Sequence, residues 1–213
     1  MENPRKELEE QTEKNEDQQE VVEVGRVENR PRKRMMFKKA LVHIIGDSMV
    51  RKPPDFLRRE VECTSMGGAK IQDVKKKVLE EVIEMEERSL LVIQGGNNLK
   101  ATGAEETVKE VIEAVKAAED KKMSVAVVRV LRCSCEGAWY INTRRAINWM
   151  LCKELLKLKM EWLAEKKGNV SFLDLDRILD QDRLFSRDGI HLSQNGNQKM
   201  GHRLAEWMRA RQA

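Results

Sequence analysis

Leu41-Val42-His43-Ile44-Ile45 runs directly into Gly46-Asp47-Ser48. An apolar, β-branched run that halts at a glycine reads as a buried strand ending abruptly. In a parallel α/β sheet, the region just past a strand's carboxyl end is where ligands and reactive groups collect. Ser48 therefore stands where a nucleophile would be placed. A plain strand-to-loop turn is the alternative for the same residues.

Downstream of this strand, residues 49–58 read as a loop or short helix broken by Pro53-Pro54, and 59–63 as a second strand. After Ser65-Met66-Gly67-Gly68, the residues Ile71, Val74, Val78, Val82 and Met85 recur three and four apart, the apolar stripe of a helix. The stretch 89–94 is nearly all apolar, as a central parallel strand is, and it ends in Gly95-Gly96-Asn97-Asn98. A helix over about 104–121, a strand over 124–130, a long helix over 139–166, a strand over 170–175 and a helix over 194–211 complete the series. Such alternation predicts a parallel sheet with helices on both faces. Right-handed crossovers carry every strand's carboxyl end to one side. The loops 46–49, 64–68, 95–99, 131–138 and 176–191 then share that edge.

The composition sets limits. The 213 residues suffice for one ordinary domain with a real core plus an extension, and charged residues reach 36% against 4% aromatic. No apolar run approaches the length of a membrane span, and the polar, acidic first twenty or so residues do not read as a secretory signal. The four cysteines, Cys63, Cys133, Cys135 and Cys152, match no zinc spacing and are read as reduced thiols of an intracellular protein, cytoplasmic or nuclear. No metal or cofactor is expected. Residues 1–38, acidic and then basic, lack an apolar face and are read as a disordered extension, leaving 39–213 as the folded domain. Residues 1–28 carry a net charge of −6, whereas 29–39 hold Arg30, Arg32, Lys33, Arg34, Lys38 and Lys39 with no acid. That basic cluster is a candidate for nucleic-acid contact or nuclear import, or else a solvated linker.

A serine hydroxyl needs a base to take its proton, and histidine is the natural one. Of the three histidines, His43 lies within the first strand and is read as a core residue, and His202 sits among charged neighbours on the last helix. His191 alone precedes a helix with an acid three residues earlier, in Asp188-Gly189-Ile190-His191. In a turn, that spacing brings the Asp188 carboxylate onto the imidazole and leaves the other ring nitrogen for Ser48. An Asp-Gly turn with a helix-start histidine is the alternative. Negative charge on a carbonyl oxygen would further need donors, for which the Ser48 and Gly68 backbone N–H groups and the Asn97 amide are candidates.

Gly46-Asp47-Ser48, Gly68, Gly95-Gly96-Asn97-Asn98 and Asp188-Gly189-Ile190-His191, in that order over about residues 40–211, resemble the sequence blocks of the SGNH (GDSL-type) hydrolases. The resemblance implies a flavodoxin-like three-layer α/β/α sandwich. The five-stranded parallel sheet is expected in the order 2-1-3-4-5, with Ser48, Gly68, Asn97 and His191 at its carboxyl edge. It implies hydrolysis of a small ester or thioester, with Ser48 as nucleophile, His191 as base, Asp188 as its partner, and Ser48, Gly68 and Asn97 as oxyanion donors. No metal is implied. Asn98 departs from the family, which usually has Asp there, and the uncharged amide both donates and accepts. On the same edge, Trp139 and Tyr140 are read as packing at the start of the long helix, with an acyl or aryl pocket as the alternative.

Residues 185–193 are also similar to the esterase-like domains of first-reading-frame proteins of some non-LTR retrotransposons. Two readings therefore compete with the esterase. One is a retroelement-derived domain, catalytically weak or silent, that binds nucleic acid through its basic segment. The other is a flavodoxin-like scaffold whose motif matches are accidental.

Overall fold

The computed structural model describes residues 42–57, 61–133 and 137–211. The extension 1–38, with the basic cluster Arg30 to Lys39, lies outside the described residues, as do Cys135 and the start of the expected second strand. Five strands form one sheet: β1 (Val42–Asp47), β2 (Val61–Met66), β3 (Leu90–Gln94), β4 (Ser124–Val128) and β5 (Asn169–Leu173). Their spatial order is β2-β1-β3-β4-β5 and every pairing is parallel, as the alternation predicts. The helices are α1 (Ile71–Val82), α2 (Ala104–Lys116), α3 (Ala138–Glu165) and α4 (Gln194–Arg209), with 3-10 turns at Ser48–Val50, Pro53–Phe56, Leu99–Ala101 and Asp182–Leu184.

The three central strands are buried on both faces, so neighbouring residues feed opposite layers. Ile45, Leu91, Ile93, Val125 and Val127 pack into one core with Val74, Val111, Ile147, Leu151 and Trp162 of α1, α2 and α3. Ile44, Leu90, Val92, Ala126 and Val128 pack into the other with Met49, Leu175, Leu184, Met200 and Leu204. Each fully buried side chain of this kind contributes roughly 1.5–3 kcal/mol. The loops at the carboxyl edge can therefore carry polar groups while the two cores hold the sheet.

Several boundaries differ from the sequence reading. β2 runs on to Met66 because an edge strand is only half covered: Thr64 and Ser65 continue the ladder while their hydroxyls donate to Glu81 Oε1 (2.8 Å) and to the Asp47 carbonyl (3.1 Å). β4 stops at Val128 rather than at residue 130. Buried Asn148 of α3 captures the Val130 backbone instead, accepting its N–H at 2.9 Å and donating to its carbonyl at 3.0 Å. The helix expected to reach 121 ends at Lys116, and Met85 is buried beyond the end of α1 rather than on it.

The order β2-β1-β3 makes β1 and β3 the strands at which the sheet's winding reverses, and a crevice opens there at the carboxyl edge. Gly46 lets the strands close up at this point. A Cβ built on it would lie 2.5 Å from the Gln94 backbone oxygen, whereas one on Gly67 would meet nothing within 4 Å. Gly46→Ala is expected to destabilise the fold by about 1–3 kcal/mol, the usual cost of overpacking, and Gly67→Ala to stay within about 0.5 kcal/mol. Urea midpoints of the two variants check this, and equal midpoints would contradict it.

Candidate active site

Ser48 follows the last residue of β1 and opens a 3-10 turn, so its backbone N–H takes no part in the turn's own hydrogen bonds. Asp47 caps that turn, its Oδ1 accepting the Met49 N–H at 2.9 Å. Met49 and Val50 are buried, which pins the turn to the core beneath α4.

The other half of the site is a narrow hairpin. Phe185 and Leu192 form an antiparallel bridge, the Ser186 N–H donates to the His191 carbonyl at 2.7 Å, and the Ser193 N–H to that of Leu184 at 2.8 Å. Gly189, with φ +66°, turns the tip in the left-handed region that glycine enters without steric cost. Asp188 Oδ1 accepts the backbone N–H groups of Ile190 (2.9 Å) and His191 (3.0 Å), leaving Oδ2 for the imidazole at 2.6 Å from His191 Nδ1. The far ring nitrogen, Nε2, lies 2.9 Å from Ser48 Oγ. The three-residue spacing thus works because the same carboxylate closes the turn and holds the ring. The His191 ring hydrogen bond, then the two backbone donors, hold the Asp188 carboxyl down at about 2.

Gly68 and Asn97 reach the same edge on β1's two neighbours. Gly68 lies just past β2, and Asn97 lies past β3 with its Oδ1 accepting from Gln94 Nε2 at 3.2 Å. That bond commits the Asn97 oxygen and keeps its amide N–H groups as donors. Asn98, the departure from the family pattern, donates from Nδ2 to the Gly68 carbonyl at 3.2 Å. An ionised Asp has no proton for that bond. Trp139 and Tyr140 divide. Tyr140 is half-buried against the core, as the packing reading has it, while Trp139 is 55% exposed. With Asn97, Leu99 and Ile190, both line a recess of about 420 Å³. A smaller recess of about 240 Å³ lies against Ser48 and His191.

His43 and His202 stand apart from this group. His43 is buried in β1, with Nδ1 3.0 Å from Glu62 Oε2, and desolvation lowers its pKa; His202 is exposed on α4. Cys63 and Cys152 carry free thiols, and among the described residues no group of three or more His, Cys, Asp or Glu is placed to hold a metal ion. No helix among those residues is long and apolar enough to cross a membrane.

Sequence reasoning missed the support beneath the serine. Asp47 is only 4% exposed and Gln94 is fully buried, with Gln94 Nε2 3.4 Å from Asp47 Oδ2 and the Asn97 N–H also reaching the Asp47 carboxylate. A polar residue at the end of an otherwise wholly apolar strand, Gln94 after Leu90-Leu91-Val92-Ile93, was the available signal. Burial pushes the Asp47 carboxyl up to about 6, against the pull of those donors and of Met49. Because the folded state holds this proton more tightly than the unfolded chain, Asp47 contributes stability below about pH 4 that is lost as pH rises through about 6. Asp47→Asn should therefore gain stability relative to the parent, on the order of 2 kcal/mol, between pH 4.5 and 7.5, the part of the shift from 3.8 to about 6 that falls in this window. Urea unfolding at the two pH values measures it, and a difference that does not change with pH would contradict it.

No family model and no curated protein sequence matches the chain. Solved structures do. A carbohydrate esterase family 3 protein from Talaromyces cellulolyticus is 12% identical and matches over 81% of this chain and 98% of its own, with a TM-score of 0.66. A putative acylhydrolase from Bacteroides fragilis is 19% identical over 81% and 87%, with a TM-score of 0.60. A GDSL-like lipase from Bacteroides thetaiotaomicron is 18% identical over 81% and 88%, with a TM-score of 0.59. The narrower resemblance to retrotransposon domains receives no support from these comparisons. At such identities the likeness is one of architecture: the five-stranded parallel sheet, ordered 2-1-3-4-5 and flanked by helices, is the fold of SGNH hydrolases.

Proposed function

We propose that the chain is a serine esterase that cleaves a small carboxylic ester or thioester through an acyl-serine intermediate. The observation that carries this reading is the unbroken run of contacts from Asp188 Oδ2 to His191 Nδ1 (2.6 Å) and from His191 Nε2 to Ser48 Oγ (2.9 Å). In it, Ser48 Oγ attacks the ester carbonyl carbon while its proton passes to His191 Nε2. The Asp188 carboxylate holds the Nδ1–H tautomer and stabilises the imidazolium that forms. The carbonyl oxygen takes up the negative charge against the Ser48 and Gly68 N–H groups and the Asn97 amide. The C–O bond then breaks and the leaving oxygen takes the proton from His191 Nε2. Water, deprotonated by the same nitrogen, releases the acid and restores Ser48. In this reading the activity belongs to residues 39–213, and the 420 Å³ recess, on the side of Asn97, takes the acyl half.

Ser48→Ala and His191→Ala are each expected to lower kcat by several orders of magnitude, with the double variant little worse than either, because groups acting as one unit are not additive. Folding should survive, since both side chains lie on loops outside the two cores. Turnover of a short-chain chromogenic ester decides it: activity that persists in Ser48→Ala removes this nucleophile. Asn98→Asp should lower kcat by about tenfold at unchanged urea midpoint. It loses the donor to the Gly68 carbonyl and sets a negative charge beside groups that must stabilise one. A rate equal to the parent's would show that the tie between the two loops does not matter to the reaction.

A further inference from the structure

We propose that the smaller recess beside Ser48 and His191 receives the alcohol half of the ester, and that Arg51 and Lys52 select an alcohol carrying an anionic group, a phosphate or a carboxylate. This rests on the reading of Ser48 as nucleophile and His191 as its base. Two recesses open beside the site, and of these the smaller is lined by Ser48 and His191 themselves. The larger is walled by Leu99, Trp139, Tyr140 and Ile190, carries one cation, Lys100, and touches the site through Asn97. In the smaller, Arg51, Lys52, Ser186 and Asn197 lie around Ser48 and His191.

The chemistry of acyl transfer assigns the halves. The leaving oxygen must take its proton from His191 Nε2, so the group attached to it lies on the side of the imidazole. That is the recess His191 lines. There Met49 and Leu192 form the apolar part of the wall, and Arg51 and Lys52 add two cationic side chains beside Ser48 and His191. Arg51 and Lys52 are both exposed, and neither forms an ion pair among the described residues. Some other cations of the chain are neutralised: Lys75 meets Glu110 and Glu113, Arg129 meets Asp174 and Asp176, and Arg144 meets Asp176. The carboxylate across the site, Asp188, is taken by His191 and two backbone donors.

The two cations follow the nucleophile closely along the chain. The Arg51 N–H closes the Ser48 turn by donating to the Ser48 carbonyl at 3.4 Å, and the Lys52 carbonyl opens the next turn by accepting from the Asp55 N–H at 3.0 Å. Across the recess, buried Asn197 gives its amide N–H groups to the Leu192 (3.0 Å) and Ser193 (2.9 Å) carbonyls. Its Oδ1 remains an acceptor for a hydroxyl of the bound alcohol. Adjacent like charges lining a concave site raise the local concentration of an anion.

The test uses the full chain and three acetate esters of para-substituted phenols, whose substituents are a carboxylate, a phosphate and a neutral methyl ester. Each kcat/KM is divided by that ester's own rate constant with hydroxide, which removes intrinsic leaving-group reactivity. At low ionic strength an anionic ester should lead the neutral one by about tenfold, the size two solvent-exposed charge contacts produce together. The lead should fall towards unity in about 0.5 M salt and in the Arg51→Ala/Lys52→Ala double variant. Whichever anion gains more names the group the recess prefers. No lead in the parent, or a lead that survives in the double variant, overturns the proposal while leaving the esterase reading in place. If the parent and Ser48→Ala cleave the neutral ester alike, the esterase reading falls instead. The recess is then judged by calorimetric binding of the phenol products to the parent and the double variant. Tighter binding of the anionic phenols that is lost in the variant upholds the cationic recess, and equal binding overturns it.

Discussion

The contact between His191 Nε2 and Ser48 Oγ joins residues 143 positions apart, one at each end of the described fold. A hydrogen bond between exposed groups contributes too little to bring such distant segments together. The two cores do that work. β1 is fixed in the centre of the sheet by Ile44 and Ile45, one in each layer. The hairpin carrying His191 is fixed by Leu184, Phe185 and Leu192, which pack into the same layer as Met49 and Val50 behind Ser48. Serine and histidine meet because their immediate apolar neighbours share one core. The contact is a consequence of packing, and the chemistry proposed for it draws on geometry already set before any substrate arrives.

That arrangement has a cost beneath the serine. The end of β1 needs a group to cap the turn that presents Ser48, and Asp47 supplies it from a nearly closed site. Burying a carboxylate is expensive unless it is surrounded by donors. Met49, Asn97 and Gln94 provide them, yet the carboxyl is still pushed up to about 6. Gln94 in turn leaves its Oε1 buried without a partner while its Nε2 is shared between Asp47 and Asn97. Polar groups that are only partly satisfied are retained where they position something. Here they tie the β1 end to the β3 end, the two strands between which the crevice opens.

How much of this could be read from residues alone follows from the range of each interaction. Periodicity and turn chemistry are local, so the strands, the helices and the Asp188-Gly189-Ile190-His191 turn were legible, the last because one carboxylate serves two residues within its own turn. The parallel pairing followed from alternation and handedness, which are also near-neighbour rules, and the order 2-1-3-4-5 was expected with the flavodoxin-like architecture that the family resemblance implies. The misplaced boundaries involve tertiary partners. β4 ends where Asn148, some twenty residues on, takes over the Val130 backbone, and β2 extends because Gly46 and Asp47 offer pairing partners to Ser65 and Met66. Gln94 escaped notice for the same reason: its role depends on a strand that lies next to it only in the folded sheet.

Asn98 shows how a departure from a family pattern can be consistent with the rest of a site. Read alone, an amide in place of a carboxylate casts doubt on how the loop after β3 is held. In the fold, that loop stands across from the loop after β2, and the group facing Asn98 is the Gly68 carbonyl. A carbonyl calls for a donor, which the amide has and an ionised carboxylate lacks. The bond links the segments that carry two of the three candidate oxyanion donors, Gly68 and Asn97. It also leaves the donor cluster free of negative charge, where a carboxylate would weaken whatever stabilisation the N–H groups give an oxyanion. The substitution is thus chemically matched to its neighbour, and the match becomes visible only when the two strand ends are placed on either side of β1.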